Sequence, residues 1–72
     1  MGKNGIIMMN RLFTFTYQSH KVTVDLGRII AINRPNADDK YFCIHFTGVV
    51  WKVAADQHDR VYKAWWDFNN NL

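Results

Sequence analysis

The chain of 72 residues has no glutamate, one cysteine, one serine and one proline. Each scarcity excludes something. Without glutamate, acidic chemistry falls to six aspartates in turn-like stretches and the C-terminal segment. A pair of carboxylates facing each other across a cleft, as general acid–base catalysis needs, has no evident source. The one serine, Ser19, is followed directly by His20 in a turn, so the two are sequence neighbours and not a nucleophile with its base. Cys43 alone cannot form an internal disulfide, which predicts a reduced, partly buried thiol in a cytoplasmic protein. Cys43 and His45 fall on one strand face, but no third group joins them to make a catalytic set. Nor do His20, His45, His58 and Cys43 follow metal-ligand spacing. The glycines at 2, 5, 27 and 48 stand apart, so no phosphate-cradling loop is present. The expectation is a protein that is not an enzyme and carries no cofactor and no metal.

Long apolar runs are also missing. Nothing approaches the roughly 20 residues of a membrane-spanning helix, so no membrane partner is expected. "IIMM" at 6–9 is too short for a secretory core, and Ile6 stands where N-myristoylation wants Ser or Thr.

Aromatic residues are what the chain has in quantity: five Phe, three Tyr and three Trp, or 15%. A chain this short supports one small core, and each buried aromatic removes roughly 150–250 Å² from water. Net charge is +3, unevenly spread. Residues 1–37 hold Lys3, Arg11, Lys21, Arg28 and Arg34 against Asp25 alone, while residues 38–72 are slightly acidic. A basic first half suits an anionic partner. It also suits plain solubility, since no Lys/Arg cluster forms.

Residues 1–10 show no periodicity and predict a flexible N-terminal tail; residues 11–72 predict a single α+β domain. "LFTFTYQ" and "KVTVDL" alternate with period two, which predicts a hairpin with Ser19 and His20 in its loop. In that register Tyr17 faces Val22. "GRIIAINR" predicts a third strand begun by Gly27. "RPNADDK" is a loop, and "YFCIHF" and "VVWKVA" form a second hairpin around Thr47-Gly48. There the two-residue loop pairs Phe46 with Val49, Ile44 with Trp51 and Phe42 with Val53. The period then changes to 3.6. Asp56 is the expected N-cap of a helix with Asp59 three residues on, and Val61, Trp65 and Phe68 form one apolar stripe.

The predicted fold is α+β: about five antiparallel strands in a curved, half-barrel-like sheet, with one C-terminal helix packed on its apolar face. That face collects Phe13, Phe15, Tyr17, Val22, Val24, Ile30, Ile32, Phe42, Ile44, Phe46, Val49, Trp51 and Val53. In outline the arrangement resembles pleckstrin-homology-like half-barrels, a likeness of architecture without a shared motif.

Two surfaces are candidates for function. If Val61, Trp65 and Phe68 face the sheet, Trp66 lies off the stripe in one row with Tyr62, flanked by Arg60 and Lys63. Trp66 then either folds over the sheet edge as a lid or stands out as a partner contact. The second surface is the polar sheet face. Lys21, Arg28, Arg34 and Lys52 would meet phosphates there, with Tyr41 and His45 beside them as stacking groups. The first expectation is therefore a small protein-interaction module, a regulator, adaptor or inhibitor, with an unidentified protein partner. The alternative is a nucleic-acid-binding domain. A homodimer formed through edge strands is compatible with both.

Overall fold

The structure is a computed structural model and describes residues 11–70. Residues 1–10, expected to be a tail, and residues 71 and 72 lie outside the described residues. Five strands and one helix follow in order: β1 (Leu12–Tyr17), β2 (His20–Asp25), β3 (Ile29–Ile32), β4 (Tyr41–Phe46), β5 (Val49–Ala54) and α1 (His58–Asn70). Short 3-10 turns, Leu26–Arg28 and Ala55–Gln57, precede β3 and α1. The class is α+β as expected, but the strands do not make one curved sheet. β1 and β2 form a two-stranded sheet, and β3, β4 and β5 form a separate three-stranded one, all antiparallel.

Asp25 explains the break. Its carboxylate accepts from the Gly27 amide at 2.9 Å and from Arg11 Nε at 3.0 Å, and so winds the chain into a 3-10 turn where the third strand was expected to begin. Leu26 donates its amide to the Arg11 carbonyl at 2.7 Å and buries its side chain. Gly27 does not begin a strand. A Cβ there would lie 2.5 Å from Arg11 Nη2, so a larger residue would push the tip of the Arg11 side chain aside. β3 then starts afresh beside β4.

Both hairpins carry the expected apolar alternation, but the first closes differently. Its loop is Gln18-Ser19, both at positive φ (52° and 68°), and Tyr17 faces His20. Two successive left-handed residues match the twist of the flanking strands. The register differs from the expected one by two residues, so Phe13, Phe15, Tyr17, Val22 and Val24 still share a face. A Thr14–Thr23 hydroxyl bond at 2.7 Å fastens the other face. The second hairpin has the expected pairing throughout, turning at Gly48 with φ +79°.

β3 corrects a further expectation. The register shifts between Ile29 and Ala31, a bulge at Ile30. The extra residue reverses the parity upstream of it, so Ile29, 7% exposed, faces the core and Ile30, 61% exposed, faces solvent.

The two sheets share one core: Phe15, Val24, Leu26, Ile29, Phe42, Ile44, Val53 and, from α1, Val61. Tyr17 stacks on Trp51 at 4.4 Å between ring centroids, which ties the first hairpin to β5. Ala64, Trp65 and Phe68 pack on this core partly buried, so the Val61–Trp65–Phe68 stripe is the inner face of α1. Asp56 is not the helix cap expected of it. It lies inside the 3-10 turn, and α1 starts at His58, which is buried with its ring edge-on to Phe42.

Candidate functional site

Along α1 the rings of His58, Tyr62 and Trp66 form a column at i, i+4 and i+8. His58 stacks on Tyr62 at 5.5 Å and Tyr62 on Trp66 at 6.0 Å. Side chains four apart on a helix lie over one another, so the spacing produces the column. Its inner end is fixed: His58 is 6% exposed and meets Asp59 through Nδ1 at 3.1 Å. Its outer end is open: Trp66 is 52% exposed and does not cover the sheet edge. Trp65, one residue earlier, packs inward and meets Tyr62 edge-on at 5.9 Å. Tyr62 thus stands between a core tryptophan and a surface one.

Lys63 and Asp67 pair at 2.7 Å beside the column, and with Tyr62 and Trp66 they line a shallow open depression. The pair neutralises itself, so the surface offers aromatic area with little net charge. Arg60, expected at its flank, is turned away. It bonds Gln57 Oε1 at 3.1 Å and the Thr14 carbonyl at 3.4 Å, and its guanidinium lies 5.4 Å from the centre of the Phe13 ring. It holds α1 to β1.

The residues expected to meet nucleic acid are divided among several surfaces. Tyr41, His45 and Lys52 do share the outer face of β3–β4–β5, where Ala31, His45 and Val50 form one row and Cys43 and Lys52 pair in the next. Lys52 Nζ sits 4.9 Å over the Tyr41 ring. No acidic residue occurs in these three strands. Lys21 instead lies on β2 opposite Thr16, Arg28 follows Gly27 and reaches Asp25 at 3.8 Å, and Arg34 lies in the loop after β3. Arg28 and Arg11 converge on Asp25. The Arg11 hydrogen bond and the Gly27 amide hold that carboxyl below the usual carboxylate range. Among the described residues no group of three His, Cys, Asp or Glu side chains could hold a metal ion, and no helix is long and apolar enough to cross a membrane.

Sequence reasoning missed Gln57. Its Oε1 accepts from the Thr16 amide at 3.2 Å and from Arg60 Nη1, which ties the start of α1 to β1. Its one signal was the Gln57/Arg60 spacing of three at a helix start. Comparison with known proteins finds no family model that matches the chain, no similar curated protein and no similar solved structure.

Proposed function

We infer that the chain is a small non-enzymatic protein-interaction module that engages its partner through Tyr62 and Trp66. One observation carries this reading: Trp66 stands 52% exposed on a helix whose other tryptophan is packed inward. A half-exposed indole braced by a stacked tyrosine presents apolar area at little conformational cost, the quality that makes Trp and Tyr dominate interface energetics. Lys63 borders the contact, and Arg60 supports it by fixing α1. The half-buried single thiol of Cys43 suits a reducing compartment, and we take the cytoplasm as the place of action.

The test compares partners retained by the immobilised full chain with those retained by Trp66→Ala. A specific partner held by the wild type should be lost at least about 30-fold, the scale of a hot-spot residue. A folded Trp66→Ala chain that holds the same partner equally well ends the reading.

A second reading rests on the Lys52–Tyr41 contact on a sheet face without carboxylates. It makes that face a nucleic-acid platform, with Tyr41 as stacking group, His45 beside it, and Lys21, Arg28 and Arg34 as outlying phosphate contacts. Binding of short single strands should then fall steeply between low and high salt. Salt-insensitive binding, or none, contradicts it.

A further inference from the structure

The two small sheets leave four strand edges, and the chain treats them unequally. In a two-residue hairpin the closing residues exchange both backbone bonds, so bonding alternates outward from the turn. In the first hairpin, pair Tyr17/His20 closes, and the backbone groups of Thr16 and Thr14 must face away from β2. They do: the Thr16 amide donates to Gln57 and the Thr14 carbonyl accepts from Arg60. The β1 edge is therefore covered. β2 carries the polar His20, Lys21 and Thr23 along its edge, and β3 is four residues long and bulged. Each is a recognised way of blunting an edge.

Among the described residues β5 has no such cover beyond the single charge of Lys52. Pair Phe46/Val49 closes its hairpin, so Val50, Lys52 and Ala54 direct their backbone groups away from β4. Ala55 confirms the alternation by turning back to the Lys40 carbonyl at 2.8 Å. Among the described residues no hydrogen bond reaches those outward groups. Val50 is 52% exposed. A cleft of about 600 Å³ lies beside this edge, walled on one side by Lys52 and Ala54 and on the other by Thr16, Gln18 and Ser19. The lining holds one charge of each sign, Lys52 and Asp56, but the strands β3, β4 and β5 themselves carry Lys52 and no carboxylate.

We propose that β5 is a docking edge for an extended acidic segment of a partner protein, which adds as an antiparallel strand beside Val50, Lys52 and Ala54. Main-chain bonds to the open edge provide affinity and alternate side chains provide selection. Acidic side chains on the outer face meet Lys52. A second copy of this chain is the poorer occupant. In the register centred on Lys52 it sets Lys52 against Lys52, a destabilising like-charge pair.

The probe is a capped nonapeptide alternating Glu and Val, compared with its Lys/Val counterpart, titrated into the full chain and followed by amide NMR. We expect shifts and slowed hydrogen exchange at Val50, Lys52 and Ala54, with binding at least about tenfold tighter for the acidic peptide. Lys52→Pro removes an outward amide that β4 does not use, as an edge strand tolerates, and should abolish the shifts. Lys52→Glu, which keeps that amide, should weaken the acidic peptide about tenfold or more. Trp66→Ala should leave binding unchanged, which separates this site from the helix contact. Absence of shifts at the β5 edge, or shifts confined to Tyr62 and Trp66, overturns the proposal. So does equal binding of the two peptides, or a β5 edge already occupied in a peptide-free dimer.

Discussion

Trp65 and Trp66 point about 100° apart around α1, and that angle alone assigns one to the core and one to solvent. The consequence is measurable in stability. Trp66→Ala removes a half-exposed ring and should change the unfolding free energy by no more than about 0.5 kcal/mol, as exposed substitutions do. Phe42→Ala empties a fully buried position that also supports the His58 ring and should cost about 3–5 kcal/mol. Urea denaturation of the two variants checks both, and a large loss for Trp66→Ala would make Trp66 a structural lid after all. At Asp25 the expected effect is one of pH. Its folded-state pKa is lowered by Arg11 and the Gly27 amide, so the native state binds fewer protons there than the unfolded chain. That contribution is present above the ordinary carboxylate range, about pH 4, and fades as pH falls through the lowered native value. In an Asp25→Asn variant this part of the acid sensitivity should be missing. Acid titrations of wild type and variant that superimpose would show that the Arg11 contact carries no stability.

At the scale of elements, what could be read in the sequence is what local spacing decides. The second hairpin was legible down to its register because Thr47-Gly48 supplies one glycine where one left-handed residue is needed, and Phe42, Ile44 and Phe46 then find Val53, Trp51 and Val49. In the first hairpin the apolar face was legible and the loop was not. No glycine marks the turn, and Gln18 and Ser19 accept positive φ because the strands beyond them fix the ends. The Ile30 bulge left no mark either, since two adjacent isoleucines fit either face. The Tyr62–Trp66 row on α1 was legible from its spacing and the stacking of His58 beneath it was not, whereas the roles of Arg60 and Gln57 depend on where β1 lies in space. Gln57→Ala tests that role. It strips the Thr16 amide of its partner and Arg60 of one acceptor, and should cost about 1 kcal/mol, the net worth of a protein hydrogen bond. Exchange at the Thr16 amide should accelerate more than at its neighbours. If all amides of β1 accelerate alike, the side chain supports the whole strand and is not an edge cap.

The whole molecule poses a different question: whether two small sheets fold as one body. A two-stranded hairpin alone is marginal in water. The first hairpin must therefore draw its stability from the shared core, where Phe15, Val24 and Leu26 meet Phe42, Ile44 and Val53, and where Tyr17 and Phe15 meet the Trp51 ring. Leu26 is the informative position, since it leaves the first sheet in a turn yet is fully enclosed with residues of both sheets and the helix. Native-state hydrogen exchange can read the coupling directly. Phe15 and Ile44 occupy bonded positions in their respective hairpins, and if the sheets open only together their amides should report the same opening free energy. Leu26→Ala should then lower both by one shared amount, about 2–5 kcal/mol, because the cavity belongs to the core and not to either sheet. If Phe15 falls while Ile44 holds, the first hairpin is a separable unit that opens by itself. In that case β1 would withdraw from the cleft beside β5 while β3–β4–β5 stayed folded. The open edge would then be a property of one state of the molecule, and the affinity of an added strand would depend on how often the hairpin opens.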